Sequence, residues 1–198
     1  MPGLPPPVDG ERQTLVEFLR FNQNAFFSVA HGLTDEQARA TPSASALSIG
    51  GLVKHAAGVQ RGWLARVASA PDFPHPDPRP MEEQMAEYQD QYSMREDETL
   101  AGLLDDLRAV NAEVLTMFAD KDLDTPVPVP HEVPWFPSDV DQWTVRWVAL
   151  HLIEELTRHA GHADIIRETC DGATMYELMA AQEEWPETDF IKRWRPAK

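Results

Sequence analysis

Apolar residues recur at intervals of three and four along four long segments of this chain, and this spacing constrains the fold most strongly. The segments extend from about 11 to 32, from 48 to about 70, from about 97 to 118 and from about 144 to 169. Such spacing places one apolar stripe along each of four helices. Because each stripe must be buried against another element, the sequence predicts an all-α protein, a four-helix bundle with long crossover connections.

The ends of these segments carry helix-terminating residues. Ser48 precedes the second segment as an N-cap, Thr99 is a candidate start of the third, and Gly172 is a natural C-terminal cap of the fourth. Short extra helices are predicted near 33–37, 81–92 and 174–183. The proline-rich stretch from 71 to 80 and the stretch from 120 to 142 cannot be helical. The second of these is predicted to be an ordered loop or an irregular extended pair.

The domain organisation follows from these elements. Residues 1–10 are expected to form a flexible N-terminus, residues 11–184 one helical bundle, and residues 185–198 an irregular C-terminal tail. No internal repeat is visible, and nothing in the sequence suggests a second domain.

Composition excludes several classes of function. A formal net charge of −16 argues against nucleic acid as a partner, because phosphate backbones are bound by clustered Lys and Arg. No segment approaches the roughly 20 apolar residues of a membrane helix, and no signal peptide is visible. The single cysteine, Cys170, cannot form an internal disulfide and fits a reducing compartment. These features predict a cytoplasmic protein with no nucleic-acid or membrane partner.

Polar side chains interrupt the buried stripes of two helices. Glu155 and His159 lie in the middle of the stripe of the fourth segment, and His55 lies in that of the second. Residues four apart share one helix face, so Glu155 and His159 could bind one ion. His55 would complete the set of three ligands. A buried carboxylate is costly unless it is paired or bound to metal. Spacing alone leaves open the commoner alternatives, a satisfied core histidine and a hydrogen-bonded Glu–His pair.

Two motifs resemble the DinB-like superfamily, in particular its actinobacterial branch. The first is LSIGGLVKH, which ends at His55 and is followed by Trp63; the second is HLIEELTRHAGHAD, from His151 to Asp164. The similarity covers roughly residues 10 to 182 and implies a DinB-like metal-binding bundle. The usual pattern has three histidines, but Glu155 stands here in place of one. The set His55, Glu155 and His159 then resembles the ligands of mycothiol-dependent maleylpyruvate isomerase.

Other assignments of the site remain open. His151 and His162 could replace one of the three ligands, orient them or line the pocket. Three ligands leave a position open, as in catalytic zinc sites, although nickel, manganese or ferrous iron would also suit them. No catalytic acid or base can be named. Four tryptophans are candidates for the pocket wall or for core packing: Trp63, Trp135, Trp143 and Trp147.

The resemblance implies chemistry with a low-molecular-weight thiol. With 13 Arg against 4 Lys, the chain has a composition that favours an actinobacterial origin, for which mycothiol is the natural thiol. We therefore expect a metal-dependent thiol S-transferase acting on a small molecule, with a homodimer as one possible state. Arg146 and Arg158 are candidates for an acidic group of the thiol, but ion pairs with nearby acids are favoured. The competing hypothesis is a non-enzymatic stress-response protein that binds metal or a small ligand.

Overall fold

Four long helices form the frame of the protein, as the apolar spacing predicts. In the computed structural model, which describes residues 3–131, 133 and 136–196, they are α1 (Glu11–Ala30), α3 (Ile49–Ser69), α5 (Leu100–Asp120) and α6 (Val145–Asp171). The shorter elements are α2 (Asp35–Arg39), α4 (Met81–Asp90), α7 (Met175–Gln182) and two strands, β1 (Pro126–Pro128) and β2 (Gln142–Thr144). The predicted all-α class is confirmed.

The long helices pack in a ring around one core. Helices α1 and α3 each contact both α5 and α6. Their apolar stripes meet at the centre, where side chains such as Leu19, Leu52, Leu107 and Leu152 are fully buried. Within the part of the chain that the structure describes, no helix is both long and apolar enough to cross a membrane. Helices α3 and α6 are therefore neighbours, because their apolar stripes are buried in the same core.

Side-chain caps fix where three long helices begin. The hydroxyl oxygens of Ser48, Thr99 and Thr144 accept hydrogen bonds from the backbone of α3, α5 and α6. At the other end, Gly172 closes α6 in the left-handed conformation, with φ of 77°. The first helix ends at Ala30, two residues earlier than predicted, and Gly32 follows with φ of 74°. Such a positive φ breaks the helix and favours glycine.

The proline-rich segment before α6 contains a short antiparallel ribbon. Strand β1 pairs with β2, with Val127 opposite Trp143 at its centre, and both of these side chains are buried. This agrees with the extended-pair alternative for the stretch from 120 to 142. The ribbon holds the start of α6 against the core, and it places an aromatic layer beside the N-terminal half of that helix.

Candidate metal centre

Helices α3 and α6 bring His55, Glu155 and His159 together. The Nε2 atom of His55 lies 3.1 Å from Oε1 of Glu155, and Nε2 of His159 lies 3.2 Å from the same oxygen. One donor atom from each residue lies within 4.8 Å of the other two. Among the described residues, no other group of three or more His, Cys, Asp or Glu is this compact.

Ring packing, together with the contacts to Glu155, orients the imidazole rings. The ring of His55 is buried and stacks on Tyr92, with ring centroids 4.6 Å apart and an interplanar angle of 21°. His159 meets His55 edge-on at 4.5 Å. The Nδ1 atoms of both histidines are buried and have no hydrogen-bond partner in the described structure. Both rings are therefore held so that their polar contacts converge on Glu155.

The carboxylate between the two rings is ionised. Hydrogen bonds from His159 and from His55 hold the pKa of Glu155 well below its ordinary value, although partial burial opposes this effect. A carboxylate can only accept hydrogen bonds, so each Nε2 atom carries a proton when it contacts Glu155. In the other tautomer, with the ring proton on Nδ1, each Nε2 atom offers a lone pair, and the same three atoms are two neutral imidazole ligands and one anionic oxygen ligand.

This donor set fits a divalent metal ion. A tetrahedral ion with ligand bonds of about 2.0–2.1 Å separates its ligand atoms by about 3.3 Å, and two of the separations here are 3.1 and 3.2 Å. Two imidazoles and one carboxylate suit zinc, nickel, manganese and ferrous iron.

A cavity of about 480 Å³ adjoins His55 and Glu155, which lie in its wall, whereas His159 is not part of its lining. A ligand in this cavity therefore reaches the cluster from the side of His55 and Glu155. The cavity has mainly aromatic and small neutral side chains around it, from α3, from the region of α4 and from the segment that precedes α6; among them are Trp63, Tyr88, Tyr92 and Phe136. This volume suits a small molecule.

Comparison with known proteins assigns the family. Residues 14–172 match the model of the mycothiol-S-transferase family. The chain belongs to this family. A conserved protein from Enterococcus faecalis, known from its crystal structure, has 18% sequence identity and a TM-score of 0.54, over 84% of this chain and 100% of that one; at this identity the likeness shows the fold alone. No match was found among curated proteins.

Membership of the mycothiol-S-transferase family confirms the resemblance to the DinB-like superfamily. The family name indicates mycothiol-related S-transferase chemistry and a small thiol as partner. DinB-like proteins bind metal, and the cluster of His55, Glu155 and His159 is a site at which this family member could do so.

The other predicted site residues of this mycothiol-S-transferase family member lie in different places. His151 lines the cavity, and its Nδ1 atom is 3.3 Å from Glu154. His162 lies beyond His159, with ring centroids 5.5 Å apart, and borders a separate groove. Neither His151 nor His162 belongs to the compact group of donors.

The tryptophans divide between the cavity wall and the surface. Trp63 is buried in the cavity wall. Trp147 is 41% exposed and lies outside the wall, where it stacks on Trp143 and on His151 with ring centroids 5.1 and 5.2 Å apart. Trp135, also a candidate from the sequence, lies outside the described residues. Three of these rings thus form a continuous aromatic layer from β2 to the cavity.

The candidate arginines, Arg146 and Arg158, pair with acidic residues away from the cavity, which is the alternative that the sequence favoured. Arg146 forms ion pairs with Glu11 at 2.7 Å and with Asp124, and Arg158 lies 4.0 Å from Glu154. Sequence reasoning missed Arg66, which lines the cavity. It also missed Tyr92, because no apolar residues at helical spacing flank Tyr92 in the sequence. Arg66 could have been predicted from helical spacing, because it lies eleven residues after His55 on the same face of α3.

Proposed function

We propose that this protein is a metal-dependent thiol S-transferase that uses mycothiol as its thiol substrate. Its metal ligands in this proposal are His55, Glu155 and His159. The observation that carries the proposal is the convergence of these three donor groups, two of which, His55 and Glu155, lie in the wall of a cavity large enough for a small molecule. Family membership supports the choice of thiol.

The charge of the site supports thiolate chemistry. A divalent ion held by these residues would supply the positive charge that keeps a thiol deprotonated near neutral pH. Without such a charge, the ionised Glu155 carboxylate would repel a thiolate. Zinc is the favoured ion, since two histidines and one carboxylate form the ligand set of several catalytic zinc sites.

The protein's own residues position the second substrate and take up the thiol proton. In the transfer, the sulfur forms a bond to an electrophilic carbon, and the leaving group departs with the pair of electrons that bound it. Trp63 and Phe136 exclude water from this part of the cavity and pack on the electrophile. Because the Nδ1 atom of His151 is held by Glu154, its Nε2 atom is the candidate acceptor of the thiol proton.

The proposal is tested with mycothiol and monochlorobimane, whose conjugate is fluorescent. We expect the zinc-loaded protein to accelerate conjugate formation and to lose this activity with a chelator. The variant His159→Ala should be inactive. His131→Ala is a matched control, because His131 is half exposed and lies away from the cavity, with its Nε2 atom 3.4 Å from Asp141.

The thiol is identified by replacing mycothiol with cysteine or glutathione at the same concentration, which should give much slower conjugation. A zinc-loaded protein that leaves the uncatalysed rate of every thiol unchanged would contradict the proposal. That result would favour the non-enzymatic protein that binds metal or a small ligand.

A further inference from the structure

One face of α3 forms the long floor of the cavity. The residues on this face recur at helical spacing: His55, Gly58, Val59, Gly62, Trp63 and Arg66. At 1.5 Å per residue, the backbone positions of His55 and Arg66 are about 16 Å apart along the helix. The cavity therefore extends from the candidate metal centre to an arginine in the last turn of α3.

Gly62 keeps part of this floor open, whereas Gln91 covers the floor at Gly58. A methyl group added to Gly62 would meet no atom within 4 Å, whereas one added to Gly58 would approach the side-chain oxygen of Gln91 to 2.9 Å. Glycine in a helix interior is destabilising by roughly 0.5–1 kcal/mol relative to alanine. The space above Gly62 suits a ligand that lies along the helix.

Arg66 is fixed at the far end of this floor. Its guanidinium carbon lies 5.8 Å from the centre of the Trp63 ring and 5.7 Å from that of Phe136. Helical side chains lean towards the helix N-terminus, which here directs Arg66 back towards the cavity. Among the described residues that line the cavity, Arg66 has the only permanent positive charge.

The rest of the wall limits what such a ligand can be. Between the two ends, the cavity presents aromatic rings, glycine and valine, which favour an apolar or aromatic body. A guanidinium flanked by aromatic rings favours a carboxylate or a similar planar anion. Because the chain has a net charge of −16, an anion needs such a local cation in order to bind.

We propose that Arg66 is the specificity-determining residue of this enzyme and binds an anionic group of the electrophile, whose apolar or aromatic body lies along Gly62 and Trp63. This rests on the proposed function and names its second substrate class, aromatic electrophiles that carry a carboxylate. For an electrophilic alkene, the thiolate sulfur bonds to one alkene carbon. The π electrons move to the neighbouring carbon, which then takes the proton that His151 accepted from the thiol.

The anion subsite is tested by binding, without any thiol. N-(4-carboxyphenyl)succinimide and N-phenylsuccinimide differ only in the carboxylate, and neither has the double bond that reacts with thiols. In isothermal titration calorimetry of the zinc-loaded protein, we expect about tenfold tighter binding of the carboxylate compound. Arg66→Gln should abolish this preference, and Arg66→Lys should restore part of it.

The control for charge is Arg61→Gln. Arg61 is exposed on the same helix, lies outside the cavity and pairs with Asp106 at 2.7 Å, so this variant should retain the tenfold preference. An equal preference in the wild type and in Arg66→Gln, or equal binding of the two compounds by the wild type, would overturn the proposal.

A second pair of variants tests the position of the ligand. Gly62→Leu should weaken binding of both succinimides at least tenfold, because its side chain fills the floor. Gly161→Leu is matched to it, since Gly161 is also an exposed helical glycine with no atom within 4 Å of an added methyl group, but lies outside the cavity. With both variants folded by circular dichroism, equal binding by Gly62→Leu and the wild type would refute this position.

Kinetics with the matching maleimides separate this inference from the proposed function. Arg66→Gln should raise KM for N-(4-carboxyphenyl)maleimide about tenfold and leave KM for mycothiol and for N-phenylmaleimide unchanged. A raised KM for mycothiol alone would assign the anion to the thiol and refute the proposal. Binding that depends on Arg66 without any catalysed transfer would preserve the subsite and reject the transferase.

Discussion

The substitution Glu155→Gln tests the metal centre, because it removes the anionic ligand while preserving the size of the side chain. A metal that binds only the native state stabilises it by RT ln(1 + [M]/Kd), which is about 2.7 kcal/mol at a hundred times Kd. For a domain of this size, each kcal/mol shifts the melting temperature by about 2–4 °C. Zinc should therefore raise the melting temperature of the wild type by about 5–10 °C.

The variant should lose nearly all of this effect. If Kd rises a hundredfold, the same zinc concentration equals Kd, and the stabilisation falls to about 0.4 kcal/mol, or roughly 1–2 °C. Glu154→Gln is the matched control, since Glu154 is the adjacent residue of α6 and its side chain is 56% exposed. It should keep the full zinc-dependent rise.

The melting temperatures of the metal-free proteins give a second test, because the direction of the expected change is known. The pKa of Glu155 is lowered by its contacts with His159 and His55, so its ionised form stabilises the folded state above the unfolded pKa of about 4.5. This contribution is present at pH 7.5 and is lost as the pH falls below that value. For a partly exposed group it amounts to about 1 kcal/mol, so metal-free Glu155→Gln should melt about 2–4 °C below the wild type at pH 7.5.

Differential scanning fluorimetry with a chelator and then with zinc measures both effects. The reasoning would be refuted if Glu155→Gln showed the same zinc-dependent rise as the wild type, because the carboxylate would then not be a ligand. A zinc-dependent rise that Glu154→Gln also lost would show that zinc acts through the surface charge of α6.

Two further predictions concern buried polar groups. Burial, followed by repulsion from Glu168, raises the pKa of Asp164 to about 6, so ionisation of Asp164 removes stability as the pH rises from about 4 to 6. Asp164→Asn should add about 1–2 kcal/mol to the free energy of unfolding at pH 7.5 and about half as much at pH 5; an equal gain at both pH values in urea titrations would contradict this. In the core, Gln60 accepts a hydrogen bond from Gln23 at 2.7 Å and donates one to Asn111 at 2.8 Å. Gln60→Leu leaves both partners unsatisfied and should cost about 2–4 kcal/mol; a loss below about 1 kcal/mol in the same titrations would mean that they find other partners.

The fold was predictable because residues close together in the sequence determine where each helix begins, where it ends and which face is buried. Spacing of apolar residues identified the four long helices, and capping chemistry placed the start of α3 at Ser48 and the end of α6 at Gly172. The ribbon was harder to predict, because it pairs strands of three residues each across a proline-rich segment. Only long-range contact shows that Val127 lies opposite Trp143.

The cluster of His55, Glu155 and His159 was predictable only in part. Helical spacing placed Glu155 and His159 on one face, but could not show that His55 approaches them from α3; the motif resemblance supplied that pairing. Tyr92 could not be found in this way. It lies in a turn after α4, an element with no buried residues among those described, so no apolar period links it to His55.

Arg66 shows why a helix face is more informative than single residues. Arg146 and Arg158 share α6 with two candidate ligands, yet each faces its own acids. The face of α3 that carries His55 also carries Gly58 and Gly62 before Arg66, and Gly62 leaves open space beside the cavity. Since α3 and α6 already pack through the core, the three donors and this floor are positioned before any metal or substrate binds. In the proposed transferase, specificity therefore depends on the side chains along one helix face, from His55 to Arg66.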